Sequence, residues 1–346
     1  MTNSEIGPRQ YQFSGKKVEC FFDTDFSFIE KKLPKEKLVF ITDENIIATH
    51  PEKFSGRQTI VIKAGEQYKN QKAVDAIIDQ LINLQADRQT FIVGIGGGVV
   101  TDITGFVASI YMRGLKFAFV PTSILAMVDA SIGGKNGIDV GVYKNLVGVI
   151  NHPEFLLYDY SFLETLPGAE WINGFAEIIK HACIKDIDMF HYLEQHSIMK
   201  FQSSLEETAA IIKKNVDIKY NIVSNDEHET GERKLLNFGH TIGHAIENTN
   251  KLSHGNAISI GMVAACRISE AINDFSETET GRVKTLLGKY ELPVAFIADK
   301  QKTWEILQHD KKKSGSNMSF VVLDTIGKAS VKSIPLDQLH KIFNSI

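Results

Sequence analysis

The stretch Thr90-Phe-Ile-Val-Gly-Ile-Gly-Gly-Gly-Val-Val-Thr-Asp102 decides the architecture. Thr90–Gly94 is the apolar, β-branched kind of run that a strand covered on both faces needs. Glycines end it, and Val99–Tyr111 continues with helical spacing. A buried strand that turns through glycines into a helix aims bare backbone N–H groups outward, which suits phosphate or pyrophosphate. The register is not the usual dinucleotide fingerprint. Counted from Gly94, the third glycine of G-x-G-x-x-G falls on Val99; counted from Gly96, it falls on Thr101. A tight strand–helix turn needing glycine for positive φ explains the same residues. Upstream, Leu38–Thr42 and Thr59–Lys63 read as strands and Gln71–Leu84 as a helix. Downstream, Lys116–Val120 is a further strand stopped by Pro121. Strands alternating with helices predict an α/β, Rossmann-like parallel sheet.

The texture changes near Pro167. Ala169–Ile184, Ser204–Val223, Asn237–Asn250, Ala257–Asn273 and Thr278–Tyr290 all carry helical periodicity. Only Met318–Asp324 and Lys328–Ile334, joined by Thr325–Gly327, read as late strands, a hairpin. The expected division is therefore an α/β domain over residues 1–167 and a mostly helical domain over 168–346. The 346 residues carry 38 Lys+Arg against 42 Asp+Glu, a net charge of −4, and 43% are hydrophobic. That composition supports a proper core and gives no electrostatic footprint for nucleic acid. No apolar run approaches the roughly 18 residues that span a bilayer. Nothing at Met1–Gln10 reads as a signal peptide. The scattered Cys20, Cys183 and Cys266 make neither a disulfide framework nor a metal knuckle. A cytoplasmic location is expected.

Candidate chemistry lies at several points. Asp43, ending the strand Leu38–Thr42, could accept hydrogen bonds from a ribose or simply cap a helix. Gly65-Glu66-Gln67-Tyr68-Lys69 follows the next strand and reads, on spacing alone, as a solvated loop. In the second half, His240-Thr-Ile-Gly-His244 stacks two imidazoles at i,i+4 on one helix face, and His254 follows closely. Glu177 and Lys180 lie at i,i+3 upstream, either as an ordinary helix salt bridge or as site residues. Three histidines and a glutamate could form a divalent-metal site with an open position. The pattern is not HExxH, because Thr241 stands where the general-base Glu would be. Arg113, Lys135, Lys144, Lys180, Lys219 and Arg233 sit singly among small or apolar neighbours. As a set they fit a phosphorylated or carboxylated small molecule.

Together these stretches resemble the 3-dehydroquinate synthase family of sugar-phosphate cyclases. The matching pieces include Gly65-Glu-Gln-Tyr-Lys69, Gly96-Gly-Gly-Val-Val-Thr-Asp102, Tyr111-Met-Arg-Gly114 and Pro121-Thr-Ser-Ile-Leu-Ala-Met-Val-Asp-Ala-Ser-Ile-Gly-Gly-Lys135. They continue with Lys144-Asn145, Gly174-Phe-Ala-Glu-Ile-Ile-Lys180, Arg233-Lys-Leu-Leu-Asn-Phe-Gly-His-Thr-Ile-Gly-His-Ala-Ile-Glu247, Leu252-Ser-His-Gly255 and Asp310-Lys-Lys312. The resemblance runs in order along nearly the whole chain. It implies an NAD-binding domain followed by a helical metal domain. It also implies that Glu177, His240 and His254 ligate zinc or cobalt. Asp43, Glu66, Lys69, Gly97, Gly98, Asp102, Thr122, Ser123, Lys144, Phe162 and Thr165 would hold NAD+. Asp129, Lys135, Asn145, Lys180, Lys219, Arg233, Asn237, His244 and a lysine of Lys311-Lys312 would meet substrate. Arg113 would reach a neighbouring subunit's substrate phosphate, implying a homodimer.

The implied reaction is a lyase step of the shikimate pathway, toward chorismate and the aromatic amino acids. It turns 3-deoxy-D-arabino-heptulosonate 7-phosphate into 3-dehydroquinate and phosphate. Transient oxidation by NAD+, phosphate elimination, re-reduction and an intramolecular aldol closure leave no net redox change. His244 would relay protons, a role its near-neutral pKa suits. Some positions depart from the family pattern: Asn136 stands where Thr is commoner, Ser123 replaces a second Thr, and Asn173-Gly174 also occurs in sister cyclases acting on sedoheptulose 7-phosphate. Those sisters generally lack the second histidine of the pair, whereas His244, Arg233 and Asn237 are present here. A metal-dependent polyol dehydrogenase would share the fold without needing so many cations.

Overall fold

The computed structural model describes residues 7–33, 37–141, 143–250, 252–295, 300–308, 313–314 and 316–345. In chain order the first elements are β1 (Arg9–Gln12), β2 (Lys17–Phe21), α1 (Phe28–Lys32), β3 (Leu38–Asp43), α2 (Glu44–Thr49), β4 (Thr59–Ile62), α3 (Gln71–Asn83), β5 (Phe91–Gly96), α4 (Gly98–Ile110) and β6 (Lys116–Pro121). Then come β7 (Lys135–Val140), β8 (Tyr143–Ile150), β9 (Phe155–Leu157), α5 (Gly168–Lys185), α6 (Ile187–Gln195), α7 (Ile198–Gln202) and α8 (Leu205–Asn225). The last are α9 (His240–Asn250), α10 (His254–Ile272), α11 (Glu277–Lys289), α12 (Lys300–Gln308), β10 (Lys313–Ser314), β11 (Asn317–Thr325), β12 (Lys328–Pro335) and α13 (Leu336–Ser345). The chain divides into two compact units. One holds Met1–Pro167 with Ala209–Tyr220; the other holds Gly168–Thr208 with Asn221–Ile346. Ala209–Tyr220 therefore packs with the first unit, although it lies beyond the boundary read at Pro167. Local periodicity shows that this stretch is helical but not which core it joins.

The first unit is built on a seven-stranded sheet in the order β1-β2-β9-β6-β5-β3-β4, parallel except for the β1–β2 pair. From β3 the chain steps outward to β4, then returns to the other side of β3 for β5. The loops after β3 and β5 thus diverge, and such a switch point is where open α/β sheets leave a ligand crevice. Phe40, Val93, Ile95, Ala118, Val120, Phe155 and Leu157 fill one core cluster with Phe26, Phe54 and Phe162. Each large side chain buried there contributes about 2 kcal/mol. The glycines after β5 serve close approach, not the left-handed backbone. Gly96 is absent from the positive-φ positions, and a Cβ on it would lie 2.5 Å from Val100 Cγ2.

Five strands escape period-two reading: short β1, β2 and β9, and the two of the ribbon β7–β8. The ribbon is anchored by Asn136, which is 4% exposed and donates from Nδ2 to the carbonyls of Gly134 and Asn151, each at 2.8 Å. The unusual Asn136 is thus a satisfied structural side chain.

In the second unit, α10 is buried along nearly its whole length, from Gly255 to Ser269. A helix apolar all round belongs inside a bundle. It packs against α5, α9, α11, α13 and β11. The late hairpin forms as expected: β11 and β12 pair antiparallel across Thr325–Lys328. The helix expected over Asn237–Asn250 begins only at His240, Glu232–Asn237 being a separate 3₁₀ turn. The helix expected from Ala257 begins earlier, at His254.

Candidate active site

In the first unit, side chains from the turn after β4, from α4 and from β8 gather around Lys69. Its ammonium is 2.5 Å from Asp102 Oδ2 and donates to Asn145 Oδ1 at 2.6 Å. Lys144, next to Asn145, reaches Glu66 at 3.5 Å. Lys69 is 4% exposed. The loop expected to be solvated is exposed at Gly65, Glu66 and Gln67, but not at its end: the 3₁₀ turn Glu66–Tyr68 drops Lys69 into the protein. Burial works against the Lys69 ammonium, but Asp102 and Glu66 outweigh it, so its pKa is raised. Burial pushes the Asp102 carboxyl up to about 6 even against Lys69.

The strand ends nearby are arranged as an α/β crevice requires. Gly97 precedes α4 as its N-cap, in extended conformation and with no side-chain cap, leaving that helix end as bare backbone. Thr122 N–H bonds the Gly96 carbonyl at 3.0 Å, and Ser123 Oγ accepts from Ala126 N–H at 3.3 Å, so both follow β6 in fixed positions. Gly98 starts α4 close to Ala130, where a Cβ would come within 3.2 Å. Asp43 caps α2 through Oδ1, accepting from Asn45 and Ile46 N–H at 2.9 and 3.0 Å. Thr165 Oγ1 lies 2.7 Å from His50 Nε2. Phe162 is 1% exposed within the core cluster, so only its backbone could face a cofactor.

Four further candidate residues of this unit carry charge. Lys219 donates to the Asp129 carbonyl at 2.5 Å and pairs with Asp129 Oδ1 at 2.7 Å. Asp129 lies on a π-helical turn, Ala126–Ala130, a distortion common at functional sites. Arg113 is exposed, and it and Met112 both take positive φ, 69° and 49°. Lys135 opens β7 at an exposed position.

In the second unit, one carboxylate gathers the charges. Glu177 is wholly buried on α5 and pairs with Lys180 one turn along. Its Oε1 lies 3.2 Å from His254 Nε2 and 3.6 Å from His240 Nε2. Single ligand atoms of Glu177, His240 and His254 all fall within 4.8 Å of one another. Two imidazole nitrogens and a carboxylate oxygen at such spacing suit zinc or cobalt and leave further positions open. Burial raises the Glu177 carboxyl, but Lys180, His240 and His254 together hold its pKa well below the ordinary value. His240, buried and near Lys180, is lowered to about 3 and is neutral. Burial opposes charge on His254 as well, but Glu177 and Glu247 raise it to about 9.

Close helix packing makes this cluster possible. Gly239 has φ +78°, and a Cβ there would lie 2.6 Å from Met262 Cγ; a Cβ on Gly261 would lie 2.0 Å from the Gly239 carbonyl. Bare backbones thus let α9 and α10 touch, which brings His240 and His244 against His254, with ring centroids 5.5 and 6.1 Å away. The His240 ring is oriented by the Phe238 carbonyl, 3.1 Å from Nδ1. The sequence reading assigned no role to Glu247, whose Oε2 is 3.6 Å from His254 Nδ1; its i,i+3 spacing from His244 was the available signal.

Arg233 and Asn237 sit on the 3₁₀ turn before α9. Arg233 is 3% exposed, donates to the Glu227 carbonyl at 2.6 Å, and its backbone N–H donates to Asp226 Oδ2 at 3.0 Å. Asn237 bonds Glu229. Lys311 and Lys312 lie outside the described residues.

An open parallel sheet with a switch-point crevice, and a helical unit bearing a Glu–His–His cluster, are what a metal- and nucleotide-dependent enzyme needs. The family model for the N-terminal part of 3-dehydroquinate synthase matches residues 59–173, and that for the C-terminal part matches 174–313. The chain belongs to the 3-dehydroquinate synthase family. The 3-dehydroquinate synthase of Campylobacter concisus is 36% identical over 315 residues, covering 88% of this chain and 90% of its own. A 2-deoxy-scyllo-inosose synthase solved with carbaglucose-6-phosphate, NAD+ and Co²⁺ superimposes with a TM-score of 0.85 at 25% identity, over 98% of this chain and 99% of that one. A 2-epi-5-epi-valiolone synthase from Streptomyces hygroscopicus, solved with NAD+ and Zn²⁺, gives 0.81 at 25% identity, over 89% and 91%.

Proposed function

We propose that this chain converts 3-deoxy-D-arabino-heptulosonate 7-phosphate to 3-dehydroquinate and phosphate. The observation that carries the reading is the buried Glu177–His240–His254 cluster, with Lys180 on the same carboxylate, in a chain of this family. Glu177, His240 and His254 would hold the metal, and the crevice residues Asp43, Glu66, Lys69, Gly97, Gly98, Asp102, Thr122, Ser123, Lys144 and Thr165, with the backbone of Phe162, would hold NAD+. Once bound, the metal supplies Lewis-acid polarisation of an alcohol oxygen and NAD+ a hydride acceptor restored in every turnover. The chain's own residues do the rest. Arg233 and Asn237 suit a carboxylate, one as a fixed cation and the other as an amide donor. Lys135, Lys180, Lys219 and Asn145 orient phosphate and hydroxyl oxygens, with Asp129 holding Lys219 in place. His244, on the helix face it shares with His240, passes protons to and from the substrate alcohol. Lys311 and Lys312 complete the cationic set.

Within this reading the enzyme works in the cytoplasm as a homodimer, with Arg113 serving the partner's substrate phosphate. The β7–β8 ribbon carries exposed Val140, Tyr143, Leu146, Val147 and Ile150, and Ile110 and Met112 flank Arg113. Apolar side chains in that number are what an interface buries. Among the described residues no helix is long and apolar enough to cross a membrane. The substrate is tested by supplying NAD+ and Zn²⁺ or Co²⁺ with each of two phosphorylated sugars. Phosphate release from the heptulosonate phosphate, abolished by chelator, is expected. Release from sedoheptulose 7-phosphate alone would move the chain to a sister cyclase.

A further inference from the structure

The β7–β8 ribbon breaks register at one residue. Ile138 pairs with Val147 and Val140 with Tyr143, so Lys144, Asn145 and Leu146 stand opposite Asp139 alone. Such bulges re-aim side chains next to sites. Freed from the ladder, the Asp139 N–H donates to the Lys69 carbonyl at 2.9 Å. The Asp139 carboxylate in turn accepts from the Asn145 N–H at 2.7 Å. Asn145 has φ +50°, a left-handed backbone that asparagine adopts at some cost and only with local support. The group within 2.6 Å of its amide is the Lys69 ammonium, which can only donate. Oδ1 must therefore face Lys69, and the two Nδ2 hydrogens lie on the other side of the amide, available to an acceptor.

We propose that Asp139 is a positioning residue for substrate: it holds Asn145 in its left-handed conformation so that, with Oδ1 fixed by Lys69, the amide N–H groups present to a substrate oxygen. The inference rests on the functional reading for what Asn145 touches, but the positioning itself is a property of this bulge. Lys69 thereby serves twice, with its carbonyl holding Asp139 and its ammonium holding Asn145, so the loop after β4 and the ribbon are tied at two points.

The test uses the NAD+- and Zn²⁺-loaded enzyme, with phosphate release and amide hydrogen exchange as separate readouts. D139A is expected to lower kcat/KM about tenfold, the scale of one lost hydrogen bond to substrate. It should also speed exchange at the Asn145 amide. D139N keeps an acceptor oxygen and should restore most of both. In an N145A background D139A should add less than about twofold, because the two residues act as one. Equal losses in both backgrounds, no rescue by D139N, or unchanged exchange in D139A would each overturn the proposal. A wild-type enzyme that releases no phosphate would overturn the functional reading instead, and the exchange comparison would still judge the positioning.

Discussion

In the first unit the cluster around Lys69 is closed on itself: Asp102, Asn145 and the nearby Lys144–Glu66 pair leave cation and anion matched. In the second, a single carboxylate, Glu177, is met by Lys180, His240 and His254 at once. The first arrangement is a finished scaffold that positions donors. The second sets an ammonium and two imidazoles on one buried carboxylate, an arrangement that a metal ion would reorganise by taking the imidazoles as neutral ligands. One cluster is built to stay as it is, and the other to exchange a proton for a cation.

The largest break in that comparison comes from the ligands. His254→Ala is expected to lose both metal and turnover, with activity down by about a thousandfold or more. His244→Ala should keep metal yet lose most turnover. Metal content and phosphate release measured side by side check the pair, and equal metal loss in both would contradict the division of roles. Lys69→Met comes next, because it strips the counterion from a largely buried Asp102. Breaking such a pair costs roughly 3 kcal/mol. The pH dependence has a definite sign. The Asp102 carboxyl titrates near 6 in the folded protein, above its unfolded value of about 4. The folded state therefore binds more protons across that window, and stability falls as pH rises through it. Without Lys69 the carboxyl should titrate higher still, moving the fall toward neutral pH in thermal melts.

A smaller effect sharpens the second half of the comparison. In the metal-free protein His254 titrates near 9 and His240 near 3. At pH 7 His254 is cationic, but a metal ligand must be neutral, so binding should release about one proton. Calorimetry in buffers of different ionisation enthalpy reads that proton directly, and a buffer-independent heat would contradict it. Smallest is the effect at Asp226. Partial burial raises its carboxyl, but backbone N–H bonds from Gly231, Thr230 and Arg233 win and bring it to about 2. A depressed carboxyl stabilises above the unfolded value of about 4, and that stability disappears as pH falls toward 2. Asp226→Ala should loosen the loop that seats Arg233 and raise KM by roughly threefold to tenfold, with kcat less affected.

The same contrast governs what the sequence made legible. His240 and His244 share one face of α9 by helical spacing, His254 follows within fifteen positions, and Glu177 with Lys180 is a one-turn pair, so the candidates stood close together in the sequence. Lys69, Asp102 and Asn145 are dispersed across the first unit and meet only through sheet order and a ribbon bulge, which no local period encodes. The loop at Gly65–Lys69 accordingly looked solvated, and only the family resemblance pointed to Lys69. Short strands such as Phe155–Leu157 were missed because three residues show no alternation, and Ala209–Tyr220 was read as helix without its partner being evident. Phe162, read as a cofactor position, has its ring in the core because its aromatic neighbours Phe26 and His50 enclose it.

The central claim is that both clusters serve one reaction in which NAD+ is recycled rather than consumed. The most direct measurement is to supply the heptulosonate phosphate in large excess over NAD+, with Zn²⁺ present, and follow phosphate and NADH absorbance together. The account predicts many equivalents of phosphate per NAD+ and no rise in NADH. NADH accumulating in step with product, or no phosphate at all, would contradict it.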